Sequence, residues 1–231
     1  GVALAIPLFL AVSQHGDFDR SRYRLADDFA RRLLASLPPG AHLAAADDNI
    51  LFALIYLHFV EGLRPDVHLI LQGIGKAHLP PLTFDPTSDP LFFTHHPNWD
   101  VPGLEIVPFG LAFRVVRSAA PLPPLVLDRR PLQGEDDPRV PKDYLTRNLI
   151  GHFHYMLGVS EMQRDWPAAA AELHRAGEIA ADNDVLFYNL GLVFRRSGLY
   201  AEAEQAFVRS HEINPRHLAS ETRARALDRI G

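Results

Sequence analysis

The chain has 231 residues, of which 47% are hydrophobic and 22% are charged, an ordinary composition for a globular protein of one or two domains. Its formal net charge of -5 argues against general nucleic-acid binding, because nucleic-acid binders usually present a basic face. The chain has no cysteine, which excludes disulfides, thiolate metal sites and cysteine nucleophiles.

The chain begins with an apolar run, GVALAIPLFLAV, over residues 1–12. This run is too short to span a bilayer, which takes about 20 apolar residues, and it lacks the basic start of a signal peptide. Residues 1–12 are therefore either a buried element of the folded domain or the end of a membrane helix. Periodicity by itself favours the buried element.

Residues 23–116 alternate between helix and strand patterns. Apolar spacing predicts an amphipathic helix over 23–37, which Pro38-Pro39-Gly40 ends. A buried strand, a helix and a second buried strand follow, and this order predicts a right-handed parallel unit. The segments after the first helix are strand 41–46, helix 50–61, and strands 67–72, 91–94, 104–107 and 111–116. We expect Gly110 in a hairpin turn, and we assign residues 1–120 to an α/β domain with a small, partly parallel sheet.

A proline-rich segment, 121–142, separates this half of the chain from a remainder with helical periodicity. Its prolines and the acidic run Glu135-Asp136-Asp137 predict an extended linker between two domains.

Residues 184–215 fit the pattern of one complete tetratricopeptide repeat. Seven positions of this unit carry the expected residue type: Phe187, Leu190, Gly191, Phe194, Ala203, Phe207 and Pro215. Gly191 and Ala203 should let the two helices of the unit approach closely. Residues 144–180 resemble a degenerate second repeat, with Gly158 placed 33 residues before Gly191. We therefore assign residues 143–231 to an all-α tetratricopeptide-repeat domain with a capping helix over 217–230.

Two polar clusters in the α/β half are candidate ligand sites. Asp47, Asp48 and Asn49 follow a predicted strand and begin a helix, where open α/β sheets bind ligands. Two adjacent carboxylates can hold a divalent cation, but the favoured interpretation is that Asp48 or Asn49 caps the helix and Asp47 makes a turn. His95, His96 and Trp99 lie in a loop after a later predicted strand.

No metal site, cofactor or catalytic residue is predicted. His152 and His154 lie two apart on a predicted helix, so their side chains point away from each other and cannot readily share a metal ion. The chain also lacks a phosphate-binding glycine loop and a nucleophile elbow.

The first helices of the predicted repeats should line a concave groove that binds a protein or peptide. The candidate contacts are His154, Asn189, Val193 and Arg196, which an ordinary solvated helix face would explain equally well. Arg195, Arg196 and Arg209 make this part of the chain locally basic, which suits an acidic peptide.

A stretch of about 50 residues in the α/β half resembles a bacterial family of multi-spanning membrane glycosyltransferases of the protein O-mannosyltransferase-like type. The shared features are an aromatic and paired leucines in a helix, an LPP turn, an acidic cluster after a strand, and an EG-x-RPDV run. Here these are Phe29, Leu33, Leu34, Leu37-Pro38-Pro39, Asp47-Asp48-Asn49 and the run 61–67. The chain departs from the family where Ala46 and Ile50 flank the acidic cluster, and this weakens a sugar or metal role for Asp47 and Asp48.

This resemblance implies that residues 1–12 are the end of the last membrane helix. The remaining residues would then lie outside the cytoplasm, in the periplasm of a Gram-negative cell, whereas a chain without that helix would be cytoplasmic. The resemblance also implies that sugar transfer belongs to the membrane part of the full-length chain, which would be a second partner of this region.

Two functional hypotheses follow. The first is a non-catalytic accessory region of a membrane glycosyltransferase-like protein, with the repeat groove binding a protein or peptide. The second is a soluble α/β enzyme or sugar-binding domain with its site around Asp47 and Asp48, which predicts a site where these carboxylates meet the 91–99 loop.

Overall fold

A computed structural model describes residues 9, 22–72, 85–86, 88–97, 102–118, 125, 127–162 and 164–216. These residues contain a five-stranded mixed sheet and six α-helices. The α-helices are α1 (Leu25–Ser36), α2 (Asp48–Ile55), α3 (Tyr144–Glu161), α4 (Trp166–Ile179), α5 (Asp184–Arg196) and α6 (Tyr200–Ile213), and a π-helical turn, Tyr56–Val60, extends α2. The strands are β1 (His42–Ala45), β2 (His68–Leu71), β3 (Leu91–Phe93), β4 (Leu104–Phe109) and β5 (Ala112–Arg117).

Three sequence expectations concern residues outside the described ranges. They are the placement of the apolar run 1–12, of which only Phe9 is described, the position of Trp99, and the capping helix over 217–230. Among the helices that the structure does describe, none is long and apolar enough to cross a bilayer.

The sheet has the strand order β2-β1-β3-β5-β4. β1 lies between β2 and β3 and is parallel to both, which confirms the predicted parallel unit. β5 is antiparallel to β3 and to β4, so the second half of the sheet is a hairpin. Gly110 has φ of 64° in the two-residue turn of this hairpin, a conformation that glycine adopts without strain.

α3–α4 and α5–α6 are two helical hairpins that pack closely at glycine. A Cβ on Gly158 would lie 2.7 Å from the Leu173 side chain, and a Cβ on Gly191 would lie 2.6 Å from the Phe207 ring. The predicted close approach is therefore present at Gly191, and Ala203 is buried in the same helical hairpin.

The described part of the proline-rich segment packs against α1 and the helical hairpins. It contains no helix or strand over 127–142, yet Leu132 and Val140 are buried. Arg32 on α1 donates hydrogen bonds to the carbonyl oxygens of Arg130 and Pro131, at 2.6 and 3.0 Å. The burial of Leu132 and Val140, together with these hydrogen bonds, makes the segment an ordered strap across both halves of the described fold.

Candidate functional site

The main candidate site is a cavity of about 950 Å³ between the β4–β5 hairpin and the helical hairpins, which we call the hairpin cavity. Its size suits a ligand larger than a single side chain, because small-molecule sites in proteins typically measure about 300–1,000 Å³. The residues that line it are His96, Ile106, Val107, Pro108, Phe109, Phe113, Leu125, Tyr155, Val159, Ser160, Met162, Arg164, Trp166, Asn189, Leu192, Val193, Arg196, Ser197 and Leu199.

The hairpin cavity joins two sites that the sequence suggested separately. Asn189, Val193 and Arg196, predicted as contacts of a repeat groove, lie on α5 and form one wall. His96, predicted as a ligand residue of the α/β half, lies in the same cavity. The three α5 residues therefore face the sheet, and Ser160 on α3 donates a 2.9 Å hydrogen bond to the Gly110 carbonyl that links the two walls.

The wall opposite α5 is the edge strand β4. The described strands include none that pairs with the outer edge of β4. Phe109 and Ala112 close the two-residue turn and form a hydrogen-bonded pair. Hydrogen-bonded and non-hydrogen-bonded pairs alternate along an antiparallel ladder, so the backbone groups of Ile106 and Pro108 point away from β5. Pro108 lacks an N–H, which suits an edge position, and Ile106 presents both an N–H and a carbonyl there.

The polar lining of the cavity is basic. Arg164 and Arg196 line it, and none of its described lining residues is Asp or Glu. Burial and the nearby charge of Arg196 both contribute to lowering the pKa of His96, so its imidazole is neutral at pH 7. Burial raises the pKa of Tyr155 to about 12, so its phenol keeps its proton and can donate a hydrogen bond.

A second candidate site lies at the carboxyl ends of β1 and β3. Asp47 has a left-handed backbone, with φ of 73°, which is uncommon for a residue other than glycine. Its exposed carboxylate accepts a 2.9 Å hydrogen bond from the Asn49 N–H and so caps α2. Asp48, also exposed, makes no such capping bond. The sequence favoured Asp48 or Asn49 as the cap of this helix, and this was wrong, because Asp47 is the cap.

Histidines from both halves of the fold meet beside Asp47. The rings of His95, after β3, and His152, on α3, stack with centroids 4.5 Å apart. Burial lowers the pKa of both imidazoles, well below the usual value for His152, so both rings are neutral at pH 7. Thr94 is buried between β3 and β1 and exchanges hydrogen bonds with the Ala46 backbone at 2.9 and 3.1 Å. This second site is thus rigid, with a carboxylate at its surface.

His154 lies in a different environment from the other predicted groove residues. It is 3% exposed and lies between two carboxylates. Its Nε2 lies 2.8 Å from Oε1 of Glu135, and its Nδ1 lies 2.5 Å from Oε2 of Glu172. It therefore fastens the strap to α3 and does not line the hairpin cavity. His152 and His154 point into separate environments, as their spacing predicted.

Sequence reasoning missed several lining residues of the cavity. Tyr155 and Trp166 lie on predicted helices and were not singled out, and residues 104–107 of β4 were predicted only as a short strand. Nothing in a local pattern reports that these elements face one another. Among the described residues, no group of three or more His, Cys, Asp or Glu side chains is arranged to hold a metal ion.

The chain is similar to one glycosyltransferase over part of its length. Over 72 residues it is 40% identical to "Protein O-mannosyl-transferase TMEM260" of Mus musculus. The match covers 30% of this chain and 10% of that protein, so the chain spans about a tenth of the length of the curated relative it matches. No protein-family model and no solved structure matches the chain.

Proposed function

We propose that this chain is a non-catalytic, peptide-binding region of a membrane protein of the O-mannosyltransferase type, and that it binds acceptor protein outside the cytoplasm. The helical hairpins serve as tetratricopeptide repeats, and the sugar transfer itself takes place in another part of the full-length protein. The partial identity to a protein O-mannosyl-transferase supports the link to that reaction class.

The observation that carries this proposal is that an apolar helix wall lies across one cavity from a strand edge with which no described strand pairs. An extended peptide can add to a strand edge through backbone hydrogen bonds while its side chains enter pockets on either side. β4 provides the edge, and Leu192 and Val193 on α5 provide apolar surface. Such binding uses the peptide backbone, so it tolerates varied acceptor sequences.

Filling the cavity should abolish peptide binding. Asn189 is half-buried on the α5 wall, and Asn189→Trp places a large ring in the cavity without removing a core side chain. The probes are phage-displayed random peptides enriched on the wild-type chain and then synthesised with a fluorescent label. We expect fluorescence polarisation to show at least about tenfold weaker binding by the variant, which corresponds to about 1.4 kcal/mol.

The matched control is Val185→Trp, because Val185 is an exposed residue of the same helix and does not line the cavity. This control should bind the peptides as the wild type does. Equal binding by Asn189→Trp and the control would place the peptide elsewhere and contradict the proposal.

A second candidate function, sugar binding at Asp47, is favoured by the strained backbone of that residue. Strain of this kind costs about 1–3 kcal/mol and is concentrated at functional sites. Here it sets an exposed carboxylate beside His95, at the edge of the sheet where α/β folds bind ligands. Carboxylates accept the hydrogen bonds that sugar hydroxyls donate.

Mannose titration followed by amide NMR tests this second function. Asp47→Asn keeps a capping side chain and tolerates the left-handed backbone, while it removes the charge. We expect shifts at Thr94 and His95 in the wild type, strongly reduced shifts in Asp47→Asn, and unchanged behaviour in Asp136→Asn, whose side chain is exposed elsewhere. The absence of shifts in the wild-type chain would exclude mannose binding at Asp47.

A further inference from the structure

The hairpin cavity has a charge opposite to that of the chain as a whole. The chain carries 28 acidic against 23 basic residues, for a net charge of -5. The described lining of the cavity nevertheless includes two arginines and no carboxylate. A basic cavity on an acidic chain is complementary to an anionic ligand.

Arg196 is the lining residue whose charge is available to such a ligand. Among the described residues, eleven other arginines form side-chain ion pairs with Asp or Glu, whereas Arg196 forms none. Arg164, the second lining arginine, has its guanidinium held by a 3.0 Å hydrogen bond to the Leu125 carbonyl. Arg196 is therefore the stronger candidate for an anion contact.

The charge of Arg196 acts on the interior of the cavity. It contributes to lowering the pKa of His96, after burial, and it opposes the rise that burial causes in the pKa of Tyr155. His96 and Tyr155 come from the two halves of the fold, and both line the cavity. The guanidinium thus faces the same space as the apolar walls.

The helix dipole explains only part of the placement of Arg196. Arg195 and Arg196 both lie in the last turn of α5, where a cation is stabilised by the helix dipole. Both arginines are stabilised by the helix dipole, but of the two only Arg196 lines the cavity. Arg196 can therefore reach a ligand there, and Arg195 cannot.

We infer that the hairpin cavity takes an extended acidic segment of a protein, whose main chain lies along β4 and whose carboxylate bonds to the Arg196 guanidinium. This inference rests on the proposed function and adds the chemical class of the ligand. Arginine bonds a carboxylate through two parallel N–H groups, which would set the register of the segment along the strand edge.

Two matched peptide libraries test the inference. They contain random residues except for one central position, which is Glu in one library and Gln in the other. Each is enriched on the wild-type chain, on Arg196→Gln and on Arg195→Gln, and the dissociation constants of the recovered peptides are measured. We expect the wild type and Arg195→Gln to bind Glu peptides about tenfold more tightly than their Gln counterparts.

Arg196→Gln should bind the two peptide classes equally. In NMR titrations, a Glu peptide should also raise the pKa of His96 by neutralising the charge of Arg196, whereas a Gln peptide should not. Equal binding of both classes by the wild type would overturn the acidic preference and leave the proposed function intact. Failure of the wild type to enrich peptides from either library would overturn the proposed function itself.

Discussion

Gly191→Ala should lower the free energy of unfolding by about 2 kcal/mol, although alanine is the better helix former. The new Cβ would lie 2.6–2.9 Å from three atoms of the Phe207 ring. Phe207 is only 4% exposed, so its ring can move only by displacing other core side chains. Urea unfolding followed by circular dichroism measures this loss.

Gly177→Ala is the matched control on a neighbouring helix. A Cβ there would find its nearest atoms at 3.5 Å, which is an ordinary van der Waals distance. We expect this substitution to raise the free energy of unfolding by up to about 1 kcal/mol, because alanine restricts the unfolded chain and favours helix.

A double variant locates the cause of the loss. Phe207→Leu combined with Gly191→Ala should destabilise the chain by less than the sum of the two single changes, because the smaller side chain relieves the contact. Equal effects of alanine at Gly191 and Gly177 would contradict the close approach of α5 and α6.

Glu135→Gln should lower the free energy of unfolding by about 3 kcal/mol at neutral pH, because it leaves buried charge without its partner. The Glu135 carboxylate accepts hydrogen bonds from the Leu132 N–H at 3.0 Å and from Arg175 at 2.5 Å, and its Oε1 lies 2.8 Å from His154 Nε2. The side chain of Glu135 is 3% exposed and that of His154 is 4% exposed. The control is Asp136→Asn. The Asp136 side chain is 72% exposed, so removing its charge should change the free energy of unfolding little.

The same network should make stability depend on pH. Burial lowers the pKa of His154, but the carboxylates of Glu135 and Glu172 outweigh it and raise the pKa above the usual value. Burial likewise raises the pKa of Glu135, but bonds from His154, the Leu132 N–H and Arg175 hold it at about 2. The folded chain therefore keeps an imidazolium beside an ionised carboxylate.

The sign of each effect follows from these directions. The His154 contribution is complete below the ordinary histidine pKa of about 6.5 and is lost as the pH rises through the raised value. The Glu135 contribution is complete above the ordinary glutamate pKa and is lost as the pH falls toward about 2. Between these limits the strap is held most tightly.

We therefore expect the free energy of unfolding of the wild type to fall, relative to His154→Gln, as the pH rises from about 6 to about 9. The comparison with a variant is needed because burial also lowers the pKa of other histidines: His42, His95, His96 and His152. These histidines make the free energy of unfolding rise with pH in both proteins, against the effect of His154. Parallel pH curves for the wild type and His154→Gln would show that folding does not raise the pKa of His154.

The amino-acid sequence by itself determined the local elements of this protein and several of its contacts. Apolar spacing predicted the parallel strand-helix-strand unit, and the repeat pattern placed glycine and alanine where α5 and α6 meet. Asn189, Val193 and Arg196 were predicted to line one groove because they lie on the first helix of the predicted repeat. Periodicity and steric fit are local properties, so short stretches of sequence report them.

Only the tertiary structure decided which of these surfaces meet. His96 and Arg196 lie 100 residues apart in the chain and line one cavity. His154 was predicted to face a groove, but it turns to Glu135 of the strap, since a buried imidazolium is stable only beside carboxylates. Such pairings depend on how distant elements pack to bury apolar surface, and no local pattern encodes that arrangement.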